Sequence, residues 1–302
     1  MDAVMLVEVG ARDGLQNEPE IVTTPDKIAL IERMIAGGAR RIEVASFVHP
    51  GRVPQMGDAE AVIAGLPDDK AVSYIGLCLN KRGVLRAIES RAGGKRGVDE
   101  AGCVAVASDG FGQRNQGQTS AETVAENAAM LRLARAEGLV PQVTISVAFG
   151  CPFDGAVAPA RVVDIARAMA DAGAVEIALA DTIGVAVPSQ VTDLFGAVRD
   201  AVRGDVRLRA HFHDTRNTGI ANAWAAYQAG VRVLDASLGG LGGCPFAPNA
   251  TGNIATEDLV FMLERSGITT GIDLDAAIAA NHWFAGVIGK TLPSMVGKAG
   301  SF

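Results

Sequence analysis

Two histidines one residue apart, His211-Phe212-His213, close an apolar run and are followed by Asp214. In an extended strand residues i and i+2 share a face. The two imidazoles are therefore either a neutral-nitrogen pair for one metal ion or a hydrogen-bonded core pair. Another apolar run exits into Glu8-Val9-Gly10-Ala11-Arg12-Asp13-Gly14. There Asp13 offers a hard oxygen ligand and Arg12 a guanidinium to neutralise a developing oxyanion; the alternative is a plain loop ion pair. Gly239-Gly240-Leu241-Gly242-Gly243-Cys244-Pro245 is a Gly-rich loop ending in a thiol, or a turn with an incidental cysteine. Gly252-Asn253-Ile254-Ala255-Thr256-Glu257 brings an amide oxygen near a helix start, with Glu257 also readable as a favourable first-turn acid. Each signal is weak alone; their shared place at strand ends strengthens the joint reading of a divalent metal centre with an arginine beside it.

Positioning them requires strands that all end on one side. Runs of four to eight residues rich in β-branched types fall at 4–9, 41–45, 71–78, 103–107, 142–148, 175–180, 207–212 and 232–237. Helix-like windows lie between them, among them 25–36, 121–136, 159–172, 189–202 and 218–229. Pro25 and Pro159 sit where a first helical turn tolerates proline. Eight βα units fit a closed barrel or a doubly wound sheet. The count of eight, the lack of GxGxxG after the first strand and polar residues clustered just past the strand ends favour a (β/α)₈ TIM barrel. Such a barrel takes about 250 residues, so the 302-residue chain reads as a catalytic barrel over 1–271. A C-terminal helix would follow over 272–302 and end in a loose tail, GKAGSF. Residues 82–117 read as irregular, a long loop before one strand and a functional loop after it.

A formal charge of −7, from 27 Lys+Arg against 34 Asp+Glu, argues against nucleic acid as a partner. No apolar run approaches the roughly 20 residues of a membrane span. The start, with Asp2 and no basic segment, does not read as a signal peptide. Four scattered cysteines without CxxC pairing read as reduced thiols, and the expected compartment is the cytoplasm.

The blocks VEVGARDGLQNE, IEVASFV, VPQMGD, GCPFDG, ALADTIGVA, HFHDT, GLGGCPFAPNATGN and ATEDLVFMLE resemble those of the hydroxymethylglutaryl-CoA lyase family, from residue 6 to about 271. The family belongs to a TIM-barrel group of metal-dependent lyases and Claisen synthases. The resemblance implies that Asp13, His211, His213 and Asn253 hold Mg²⁺ or Mn²⁺. It makes Arg12 the catalytic arginine, Cys244 the catalytic thiol, and Asp181 and Glu43 further active-site acids. Glu257 would stand beside the metal, and with Gln16, Ser46, Ser108 and Asn115 it completes a candidate substrate-contacting set. Cys151 falls on a family cysteine and is expected to serve packing or loop structure.

The implied activity is retro-Claisen cleavage of 3-hydroxy-3-methylglutaryl-CoA to acetyl-CoA and acetoacetate. Arg12 would face the oxyanion, His211 or Asp181 would take the hydroxyl proton, and Cys244 would protonate the acyl-CoA carbanion. The resemblance frays between 80 and 118, where the acyl group would be selected, so citramalyl-CoA is the alternative substrate. A Claisen synthase of the isopropylmalate or homocitrate type shares the metal residues but lacks the Cys loop. A non-catalytic scaffold would show a broken ligand set, which this chain does not. The partners expected are a small acyl-CoA and further copies of the chain, as a dimer or tetramer.

Overall fold

The computed structural model describes residues 2–202, 204–243 and 252–302. Among them eight parallel strands close on themselves in chain order, each hydrogen-bonded to the next and the eighth to the first. They are β1 (Met5–Glu8), β2 (Arg41–Ser46), β3 (Ser73–Cys78) and β4 (Glu100–Val106). The second half holds β5 (Val140–Ser146), β6 (Glu176–Asp181), β7 (Arg207–Phe212) and β8 (Val233–Ala236). The expected TIM barrel is what forms.

The first helices are α1 (Thr24–Ala36), α2 (Ala59–Gly65), α3 (Lys81–Glu89), α4 (Asp109–Asn115) and α5 (Ser120–Ala136). Then come α6 (Pro159–Asp171), α7 (Pro188–Ala201), α8 (Gly219–Gln228) and α9 (Thr256–Arg265). Two more, α10 (Leu274–Ile288) and α11 (Met295–Ala299), follow the barrel. Leu30, Ile31 and Met34 of α1 and Val191, Leu194 and Phe195 of α7 are buried, in the i, i+3, i+4 stripe that covers a sheet from outside.

Two expectations need correction. Residues 82–117 are not irregular: they contain most of α3, the start of β4 at Glu100, and α4. Asn80 caps α3 by accepting from Gly83 N–H at 3.0 Å. Gly83 obscured the helical pattern, yet a Cβ there would stand 3.2 Å from Cys78 Cα, tighter than side chains usually approach, so glycine favours close packing of the helix on β3. Nor is the GKAGSF tail loose throughout, since its first three residues belong to α11. The Asp258 carboxylate holds that turn, accepting from Ser294 Oγ at 2.9 Å, Met295 N–H at 3.1 Å and Val296 N–H at 2.7 Å.

The barrel interior is charged, where such barrels usually carry branched apolar side chains. Arg41 makes two-pronged contacts with both Glu100 and Glu176 at 2.6–2.8 Å. Burying these groups is tolerable because each is matched at hydrogen-bond distance.

Candidate active site

The residues singled out on β1 and β7 meet at the strands' C-terminal ends. Gly10–Gly14 winds into one π-helical turn, closed by Gly14 N–H donating to Val9 O at 3.1 Å, a geometry frequent at functional sites. Gly10 is required there, since a Cβ would fall 2.6 Å from Glu8 Oε1. That Glu8 oxygen accepts from Gly10 N–H and Leu238 N–H, and the other from Thr256 Oγ1. One buried carboxylate thus joins the exits of β1 and β8 to α9, although burial pushes its pKa up to about 7.

The turn aims Arg12 and Asp13 into the barrel mouth. Arg12 Nη1 donates to Asp13 Oδ1 and Nη2 to Glu43 Oε2, both at 2.7 Å. Asp13 Oδ2 lies 3.8 Å from Nε2 of both His211 and His213. Asn253 joins them through a short antiparallel bridge that pairs it with His213. Its Nδ2 donates to Asp13 Oδ2 at 2.9 Å. Burial opposes ionisation of Asp13, but Arg12, His211 and His213 outweigh it and hold its carboxyl well below the usual range. For Glu43 burial prevails over Arg12 and raises the pKa. For His211 burial is outweighed by Asp235, whose Oδ2 meets Nδ1 at 3.0 Å, and the pKa rises.

Three observations fit a divalent cation. One ligand atom each from Asp13, His211 and His213 lie within 4.8 Å of one another. Asn253 Oδ1 is buried and makes no hydrogen bond, and exchanging the near-isosteric amide ends would turn that oxygen toward Asp13. The third is charge: among the described residues the buried column of Arg12, Arg41 and Arg209 faces Asp13, Glu43, Glu100, Glu176 and Asp235. Three buried guanidiniums face five carboxylates, with half-exposed Arg207 beside Glu176 at the lower rim, so acidic groups outnumber basic ones and a cation is favoured. Mixed carboxylate, imidazole and amide donors suit a hard, oxygen-preferring ion.

Above this cluster opens a cavity of about 1050 Å³. Arg12, Asp13, Glu43, His211 and His213 line its floor, and Gln16 and Asn115 its walls. Arg52, Arg82 and Arg86 stand on one side, a basic stretch within an acidic chain.

Other candidates lie elsewhere. Asp181 is buried, with its two oxygens accepting from Val185 and Ala186 N–H at 2.9 Å, so it shapes the turn after β6. Burial raises its pKa against those two bonds. Ser46 is fully buried in β2, off the cavity wall. Ser108 caps α4 and donates to Asp154 Oδ2 at 2.6 Å. Cys151 Sγ accepts from Phe153 and Asp154 N–H at 3.3 Å, the loop role expected of it. Glu257 does not reach the cavity lining: it is wholly buried beneath the β8 exit and accepts from Gly239 N–H, with a pKa raised by burial to about 7. Cys244 lies outside the described residues; the preceding Gly243 lines the cavity, and its carbonyl accepts from Asn17 Nδ2 at 2.9 Å.

The HMGL-like family model matches residues 3–283. The chain belongs to the HMGL-like family. Among its HMGL-like relatives, (R)-citramalyl-CoA lyase of Chloroflexus aurantiacus is 45% identical, covering 99% of this chain and 96% of the relative. Human mitochondrial hydroxymethylglutaryl-CoA lyase is 39% identical, covering 98% and 89%. An HMG-CoA lyase structure from Acinetobacter baumannii, in complex with coenzyme A and 3-methylmalate, superposes with a TM-score of 0.93 at 40% identity, over 99% of this chain and 95% of that one.

Two residues of this HMGL-like site escaped the sequence reading, Arg209 and Asp235. A signal existed: Arg207, Arg209 and His211 alternate along β7, with His213 in the same phase just past its end, and so point toward one face. If Asp13 is a ligand, Asp13→Asn should raise the metal concentration needed for half-maximal Mn²⁺ binding by at least about tenfold. Titration followed by the electron paramagnetic resonance of free Mn²⁺ checks this, and an unchanged curve removes Asp13 from the ligand set.

Proposed function

We propose that the protein cleaves a tertiary 3-hydroxyacyl-CoA by a retro-Claisen reaction. The observation that carries the reading is the convergence of Arg12, Asp13, His211 and His213 on the floor of one cavity. A divalent cation held by Asp13, His211, His213 and Asn253 would supply Lewis acidity toward the substrate's hydroxyl and carboxylate oxygens.

The chain's own groups divide the remaining work. A base takes the hydroxyl proton, the C2–C3 bond breaks, and its electron pair passes to the thioester as an enolate. The C3 carbon becomes a ketone, and protonation of the enolate carbon releases acetyl-CoA. His211 has Nδ1 on Asp235 and Nε2 toward Asp13, and Asp181 has both oxygens on backbone amides. The Glu43 carboxylate, on the cavity floor, is the base we assign to proton removal. Arg12, beside it, is placed to stabilise the oxyanion. The Cys244 thiol is assigned the final protonation. Arg52 and Arg82 on the rim suit the phosphates of coenzyme A.

Hydroxymethylglutaryl-CoA would yield acetoacetate, and citramalyl-CoA would yield pyruvate. The 45% identity to a citramalyl-CoA lyase favours the second substrate as a reading of equal standing. Purified protein with Mg²⁺ or Mn²⁺ should release acetyl-CoA from at least one of these two thioesters, and the accompanying ketoacid names the substrate. Release from neither rejects the proposal.

A further inference from the structure

An arginine inside a barrel needs its charge matched, because unpaired buried charge is costly. Arg209 lies on β7 two residues before His211, on the same inward face. Its Nη1 donates to Gln142 Oε1 at 2.5 Å and lies 3.4 Å from Glu176 Oε1, while Nη2 donates to Thr144 Oγ1 at 3.2 Å. The guanidinium is therefore gripped along its outer edge. Its Nε stands 3.3 Å from Asp235 Oδ1, an ion pair in which neither atom makes a hydrogen bond. The other oxygen of Asp235 meets His211 Nδ1 at 3.0 Å. Turning this carboxylate would weaken either its ion pair with the fixed guanidinium or its contact with the ring nitrogen.

The geometry points to Arg209 as a positioning residue: through Asp235 it holds His211 with Nδ1 as donor and the Nε2 lone pair toward Asp13. This rests on the metal reading of the site. Groups that orient a metal-binding histidine commonly affect metal affinity by about 10- to 100-fold. The arrangement runs from guanidinium to carboxylate to imidazole, so Arg209 acts on the metal site without touching it. Two features separate this role from mere support of the barrel. Support would change stability and leave metal affinity alone, and it would not make the effect of Arg209 depend on Asp235.

The test is Mn²⁺ binding to folded, metal-free protein for the wild type, Asp235→Asn, Arg209→Met and the double variant, with circular dichroism to verify folding. Each single substitution should raise the Kd by about tenfold or more, and the double variant should bind no more weakly than the weaker single one. Single-variant Kd values within twofold of wild type overturn the inference. So does a double variant whose loss equals the product of the two single losses, because Arg209 would then act independently of Asp235. If Arg209→Met does not fold, Arg209→Lys, which keeps the charge and loses the fork, is read by the same criteria. A wild type that leaves Mn²⁺ free overturns the metal reading and this inference with it; binding by the wild type with unaltered variants overturns this inference alone.

Discussion

Replacing Arg12 with Met should lower turnover by about a hundred- to a thousandfold, the usual cost of removing a donor aimed at a developing oxyanion. The substitution leaves Asp13 and Glu43 without the cation that bridges them at 2.7 Å. Two neighbouring carboxylates without their guanidinium attract a metal at least as well as before, so Mn²⁺ affinity should hold or rise. The expected outcome is thus a fall in kcat at saturating metal with an unweakened Mn²⁺ titration. A loss of turnover that excess metal restores would make Arg12 an organiser of the metal site and remove its role toward the oxyanion.

Cys244→Ala should likewise depress turnover by about two to four orders of magnitude, the range for losing a positioned general acid. Metal affinity should not change, because the cluster that fits a cation draws on Asp13, His211, His213 and Asn253. The measurement is kcat beside a Mn²⁺ titration on the same preparation. Wild-type turnover in this variant would exclude the thiol from the reaction.

The alternation of β-branched runs with helical windows made the barrel legible, because a parallel sheet covered on both faces leaves that pattern in each strand. His211 and His213 were legible through the two-residue period of a strand, and Arg12 and Asp13 through their place at a strand exit. What stayed hidden depends on neighbours remote in sequence. Nothing local reveals that Asp235 meets His211, 24 residues earlier. Asp181 and Ser108 sit at strand exits, where chemistry is expected, yet their oxygens are occupied by the backbone and by Asp154. Glycine concealed α3, since a residue chosen for close approach to β3 lowers the helical signal it sits in. The acid Glu257 follows the same logic: its place near Asn253 suggests the cavity, and its burial under Gly239 is a product of how α9 docks.

The segment that follows α10 bears on how such a site can diverge. Lys290 Nζ reaches Glu18 on the loop after β1. Leu292 fills the space where a side chain on Gly239 would lie, and Ser294 N–H donates to Gly239 O at the exit of β8. Asn17, beside Glu18, holds the carbonyl of Gly243. Barrel enzymes are often pictured as a fixed frame with eight exchangeable loops. Here the first loop, the eighth loop and residues 290–294 form one cassette. A graft that exchanges either loop alone severs bonds to the other two parts, so variation in these loops has to travel with the chain's far end.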